Sequence, residues 1–130
     1  MNTLVGNGFE LHFRWDGDVL VVQVEGPHDS FEISLAYWQM IADERARLGA
    51  KRVLVLENLK ETADEHLVLD LSEHLVKLDF QGTRVAFVDA VDYHRSVQEY
   101  VAIRARERGI TAAIFGDASQ AMTWLRHGEA

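Results

Sequence analysis

Apolar and polar positions change their rhythm several times along this chain, and each change marks an element. In FELHFRW, residues 9–15, Phe9, Leu11, Phe13 and Trp15 recur at every second position. That period belongs to a strand with one buried face. Asp16-Gly17 follows and then VLVVQVEG, so the pair reads as a hairpin closed by a dipeptide that tolerates positive φ. The rhythm then lengthens. DSFEISLAYWQMIADERARLGA carries Asp29 and Glu32 in capping-box spacing and ends at Gly49, which predicts a helix from about Ser30 to Leu48.

KRVLVLEN is too short and β-branched for a helix and too continuously apolar for a half-exposed strand, so a central strand buried on both faces is expected. Thr62 and Glu65 repeat the capping-box spacing before HLVLDLSEHLVKL, with Gly82 closing the unit. TRVAFVDA, the helical DYHRSVQEYVAIRARERG, TAAIFG and a short helix capped by Asp117 and Gln120 complete the chain. The order is a hairpin, helix and strand alternating three times, then a last helix. It predicts one α/β domain over residues 1–130, with a mixed, mostly parallel sheet of about five strands and four helices.

Composition narrows the function. The 130 residues are 48% apolar with a net charge of -8, an unpromising balance for displacing counterions from nucleic acid. No cysteine is present, which removes disulfides, thiolate metal sites and a cysteine nucleophile, and fits a cytoplasmic setting. The opening MNTLVGNGFELHF lacks a basic stretch and a long apolar core, and no apolar run approaches the ~18 residues of a membrane span.

With the elements in this order, the chain resembles the STAS superfamily, in particular its SpoIIAA-like branch, which is also compared with Sec14-type lipid-binding domains. The resemblance rests on RVLVLEN entering an acidic loop, on TRVAFVDA, and on AAIFGDASQAMTWL, where Asp117, Ala121, Trp124 and Leu125 follow the family's closing pattern. It implies a SpoIIAA-like fold and a regulatory, protein-binding role in a bacterial cytoplasm. It also implies a phosphorylatable hydroxyl in the loop after the central strand. Only Thr62 offers one in ENLKETADEH, where it already has an N-cap task; residues 57–73 hold six acids against one lysine, which opposes a phosphate there.

Further candidates come from placement. Ligands of open α/β sheets gather beyond the carboxyl ends of the strands, where Glu57, Asn58, Asp89, Asp92 and Asp117 fall; their simpler use is helix capping. His66, Asp70, Glu73 and His74 share one side of the second helix, yet the two histidines are separated by ~12 Å of rise, too far to share one zinc ion easily. Leu67, Val68, Leu71, Leu75 and Leu78 form the arc expected to face the sheet. Leu69 and Val76 point away from it and, with Trp38 and Met40, make a candidate patch for a partner or second subunit.

The third helix carries Arg95, Arg104, Arg106 and Arg108; those of its last turn suit its carbonyl-rich end, the alternative being a basic strip that answers an acidic partner or the acidic second helix of a sister subunit, and Tyr93, Val97, Tyr100 and Val101 suit its buried stripe. No nucleophile elbow, P-loop or dinucleotide fingerprint occurs. The expectation is a non-enzymatic module without cofactor or metal, acting through protein contacts or self-association. The alternative is a Sec14-like module for a small apolar ligand lined by Phe31, Leu35, Trp38, Leu67, Leu71 and Leu75, with a carboxylate metal hydrolase a distant third.

Overall fold

The computed structural model describes residues 2–27, 30–59, 65–89 and 95–128, with backbone alone at 59, 65–68, 71 and 95. Thr62 and Asp92 therefore lie outside the described residues, as do the side chains of His66, Leu67, Val68 and Leu71. The elements run β1 (Asn2–Gly6), β2 (Phe9–Asp16), β3 (Val19–Gly26), α1 (Phe31–Leu48), β4 (Arg52–Leu59), α2 (Glu65–Leu75), β5 (Arg84–Val88), α3 (Arg95–Glu107), β6 (Thr111–Phe115) and α4 (Ala118–His127). All six strands form one sheet in the order β1-β2-β3-β4-β5-β6. The pairings β1–β2 and β2–β3 are antiparallel, and the remaining three are parallel.

This is the expected mixed, mostly parallel sheet with an N-terminal hairpin and four helices, plus one strand at the edge. The hairpin loop is Gly17-Asp18, with Gly17 at φ 61° and no non-glycine residue at positive φ among the described residues, so the left-handed step is confined to the first loop position. The added strand, β1, brings Leu4 against Leu11 and Gly6 against Phe9. Asn2 Nδ2 ties it to α1 by donating to Glu44 Oε2 at 2.6 Å.

Connections between parallel strands cross over with a constant hand, so successive crossovers advancing in one direction lay their helices on one face. There Tyr37, Trp38 and Ile41 of α1, Val76 and Phe80 after α2, and Ala105 of α3 pack on Leu20, Val22, Val53, Val55 and Val85. The opposite face carries α4 alone, with Ala121, Trp124 and Leu125 against Val19, Val21, Leu54 and Ala86. Residues 53–55 alternate between these two cores, which is why that segment is continuously apolar.

The cap of α1 lies one residue beyond the expected Asp29. The side chain that caps α1 is Ser30, accepting from Ile33 N–H at 3.1 Å; the helix then ends at Gly49 with φ 69°. Asp117 caps α4 as expected, accepting from Gln120 N–H at 3.0 Å.

Candidate functional site

Between the three-helix layer and the sheet lies a cavity of about 100 Å³. Its walls come from α1 (Ser34, Tyr37, Trp38), the end of α2 and the segment after it (Leu75, Phe80), β5 (Val85, Phe87) and α3 (Val101), with further small residues from β6. An apolar lining of this kind keeps water from solvating the interior, and even a ~150 Å³ apolar cavity can remain dry and take up benzene. Its few polar groups are consequently informative. Tyr37, buried to 1% exposure, donates its hydroxyl to Glu57 Oε2 at 3.1 Å, and both residues line the cavity. Ser72, also in the wall, donates to the Leu69 carbonyl at 2.7 Å.

The positions of these groups follow from the elements that carry them. On α1, Ser34, Tyr37, Trp38 and Ile41 share the sheet-facing side by helical spacing. Glu57 stands near the carboxyl end of β4, paired in register with Val24 of β3 and turned to the helix-covered face. Twenty residues separate the two partners, and the sheet-to-helix crossover brings them together. A larger and more open hollow of about 410 Å³ lies on the other face between the hairpin and α4. It is lined by Arg14, Asp16, Leu56, Met122 and Arg126, and Arg126 Nη2 bridges it to Asp16 Oδ1 at 2.9 Å. The smaller cavity is the better candidate, because it combines apolar walls with convergent polar groups.

Among the described residues, the strand-end carboxylates are not gathered into one centre. Glu57 faces the cavity, Asp89 is buried after β5 with its N–H donated to the Phe115 carbonyl at 3.1 Å, and Asp117 is exposed at the start of α4. Among the described residues, the three potential metal ligands that do converge are Glu10, His12 and Glu25 on the hairpin. For Glu10 and His12 the signal was the polar phase of the FELHFRW alternation, whose apolar phase alone predicted the strand.

The candidate surface patch is corrected by burial. Trp38 and Val76 are 8% and 5% exposed, inside the core, and Met40 is half-buried against it. Leu69 is half-buried. The Val76 N–H still donates to the Ser72 carbonyl at 3.2 Å in helical spacing, and Ser72 is itself buried, so the covered side of α2 extends to Ser72 and Val76 beyond the leucine arc. Leu75 and Leu78 pack on the core as the arc predicted. His74 meets the Phe31 ring edge-on at 5.2 Å. Tyr100, expected in the buried stripe of α3, is at the surface, whereas Val97 and Ala105 are buried.

Tyr100 instead works with Arg104. Both hold Glu73 of α2: the Tyr100 hydroxyl donates to Oε1, and Arg104 reaches the same carboxylate with Nε at 3.0 Å and Nη2 at 2.6 Å. The acidic face that answers this arginine is thus the chain's own. The Arg104 guanidinium, seconded by the Tyr100 hydroxyl, holds the Glu73 carboxyl down to about 2. A depressed carboxyl contributes stability that is present above its unfolded value near 4.5 and is lost as pH falls toward the folded value. Glu73→Gln is therefore expected to flatten the fall in Tm between about pH 4.5 and 2, an effect that shrinks in 1 M salt because all three groups are partly solvated. Parallel acid limbs for the variant and the parent would show that the trio does not couple α2 to α3.

Among the described residues no helix is long and apolar enough to cross a membrane. No protein-family model matches the chain, and no curated protein matches it. Among solved structures, the chain is similar to a crystal structure of an uncharacterized protein of the DUF3478 family from Shewanella loihica PV-4, described as having a SpoIIAA-like fold, at 19% identity over 94% of this chain and 98% of that one, with a TM-score of 0.45.

Proposed function

We propose that this chain is a non-enzymatic cytoplasmic binding module that takes a small apolar molecule, carrying one hydrogen-bond donor, between its helices and its sheet. The observation that carries this reading is the apolar cavity with Tyr37 and Glu57 in its wall. A carboxylate is acceptor-only when ionised, so it favours an alcohol, phenol or amine in the cavity and disfavours an acid. Binding without chemistry agrees with the commitment of the Tyr37 and Ser72 hydroxyls to Glu57 and to the Leu69 carbonyl. A purely protein-binding role has less support, because two of the four residues proposed for its surface are inside the core.

Phenol and benzoate test the reading as a matched pair. Phenol is expected to raise Tm in a dose-dependent way, as any ligand selective for the folded state does, and benzoate to leave it unchanged. Val101→Phe fills the cavity from α3 and is expected to abolish the phenol response while the far-UV spectrum is retained. Equal responses to both compounds, no response to either, or a response that survives Val101→Phe would each overturn the proposal.

A further inference from the structure

On the sheet face away from α1, α2 and α3, the hairpin presents a second constellation that has nothing to do with the cavity. Glu10 and His12 are alternate residues of β2 and so share a face, and Glu25 of β3 stands directly opposite Glu10 in the register. Two carboxylates in such a cross-strand pair repel one another and destabilise a sheet unless a positive charge lies between them. His12 supplies the third corner: its Nε2 is 3.4 Å from Glu10 Oε2 and 3.4 Å from Glu25 Oε2. All three potential ligand atoms fall within 4.8 Å of one another.

We propose that Glu10, His12 and Glu25 form a binding site for a divalent transition-metal ion of the zinc class. The argument is geometric. Zinc takes imidazole nitrogen and carboxylate oxygen at roughly 2.0–2.2 Å, and the edge of a tetrahedron with such bonds is roughly 3.3–3.5 Å. Both separations from His12 Nε2 match that edge, and the third, between the two carboxylates, is within 4.8 Å.

The second ring nitrogen is held too. Thr3 Oγ1 of β1 lies 3.1 Å from His12 Nδ1. When the hydroxyl accepts from Nδ1–H, the lone pair of Nε2 is directed at the two carboxylates, the tautomer that a metal requires, and such outer partners fix the ring of metal-bound histidines. Side-chain exposures of 34% for His12, 53% for Glu10 and 43% for Glu25 leave the fourth position open to water. A mixed imidazole and carboxylate set also favours zinc over magnesium, which seeks oxygen ligands in octahedral array.

Calorimetric titration of the full chain with ZnCl₂ decides the matter. One ion per chain is expected, with His12→Ala and Glu25→Gln each weakening uptake at least tenfold. Thr3→Val, which removes only the outer partner, should cost about 10- to 100-fold. His127→Ala, on α4, serves as the control among the six histidines and is expected to change nothing. The absence of saturable uptake, or uptake that His12→Ala leaves intact, overturns the site.

Discussion

Trp38→Ala is expected to lower unfolding stability by about 3–5 kcal/mol, the range for truncating a large aromatic in a core that relaxes only in part. Trp38 is the hub of the helix-covered layer: its ring centroid is 5.9 Å from Tyr37, 5.9 Å from Phe80 and 5.7 Å from Phe87. Those partners belong to α1, the segment after α2, and β5, so a single truncation loosens three elements together. The substitution also widens a cavity already present at this place, which removes dispersion contacts from every wall. Urea unfolding with an unchanged m-value would read the loss directly as a shift in midpoint. A loss below about 1 kcal/mol, the centre of the range for point substitutions in general, would contradict the packing described for this residue.

The second large effect is expected at Gly6. A methyl group there would stand 2.1 Å from Phe9 Cζ and 2.5 Å from Cε1, far inside any tolerable contact. Register places Phe9 opposite Gly6, and the ring, itself only 4% exposed, covers the glycine while reaching Tyr37 edge-on at 6.1 Å. Gly6→Ala must expel that ring from the core or lift β1 from the sheet, at about 1–3 kcal/mol. Phe9→Leu opens space over the glycine, so the double variant is expected to lose less than the sum of its parts. A double-mutant cycle measures that coupling, and simple additivity would count against the close approach.

The order of strands and helices was legible because each element announces itself over a few residues: period-two burial in FELHFRW, unbroken apolar runs in VLVL and VAFV, and Gly49 behind a long amphipathic stretch. The strand β1 was not legible. NTLVG turns only Leu4 toward the core as a substantial apolar side chain, and what holds it is tertiary: pairing with β2 and the Asn2–Glu44 bond to α1. The cap of α1 was displaced by one residue because Asp29 and Ser30 are both good cap residues, and their order in sequence does not say which backbone adopts the extended conformation.

Site residues divide along the same line. Asp117 was readable as a cap because capping is local. Glu57 was placed correctly at a strand end, but its partner Tyr37 comes from another element, and spacing within α1 says nothing of a carboxylate 20 residues away. Glu73 was legible as part of an acidic second helix and Arg104 as the end of the third, but that the two meet within one chain is a matter of tertiary packing. The grouping of Glu10, His12 and Glu25 escaped because Glu25 joins the other two from β3, and a cross-strand neighbour depends on register.

The unbroken order β1-β2-β3-β4-β5-β6 has a kinetic consequence. Every strand hydrogen-bonds to its predecessor in the chain, so each new pairing closes only the loop or crossover just synthesised, and the entropy of bringing distant segments together is never incurred all at once. The sheet can grow from its N-terminal edge as the polypeptide leaves the ribosome, with α4 arriving last to shield the face that β3, β4 and β5 have left open.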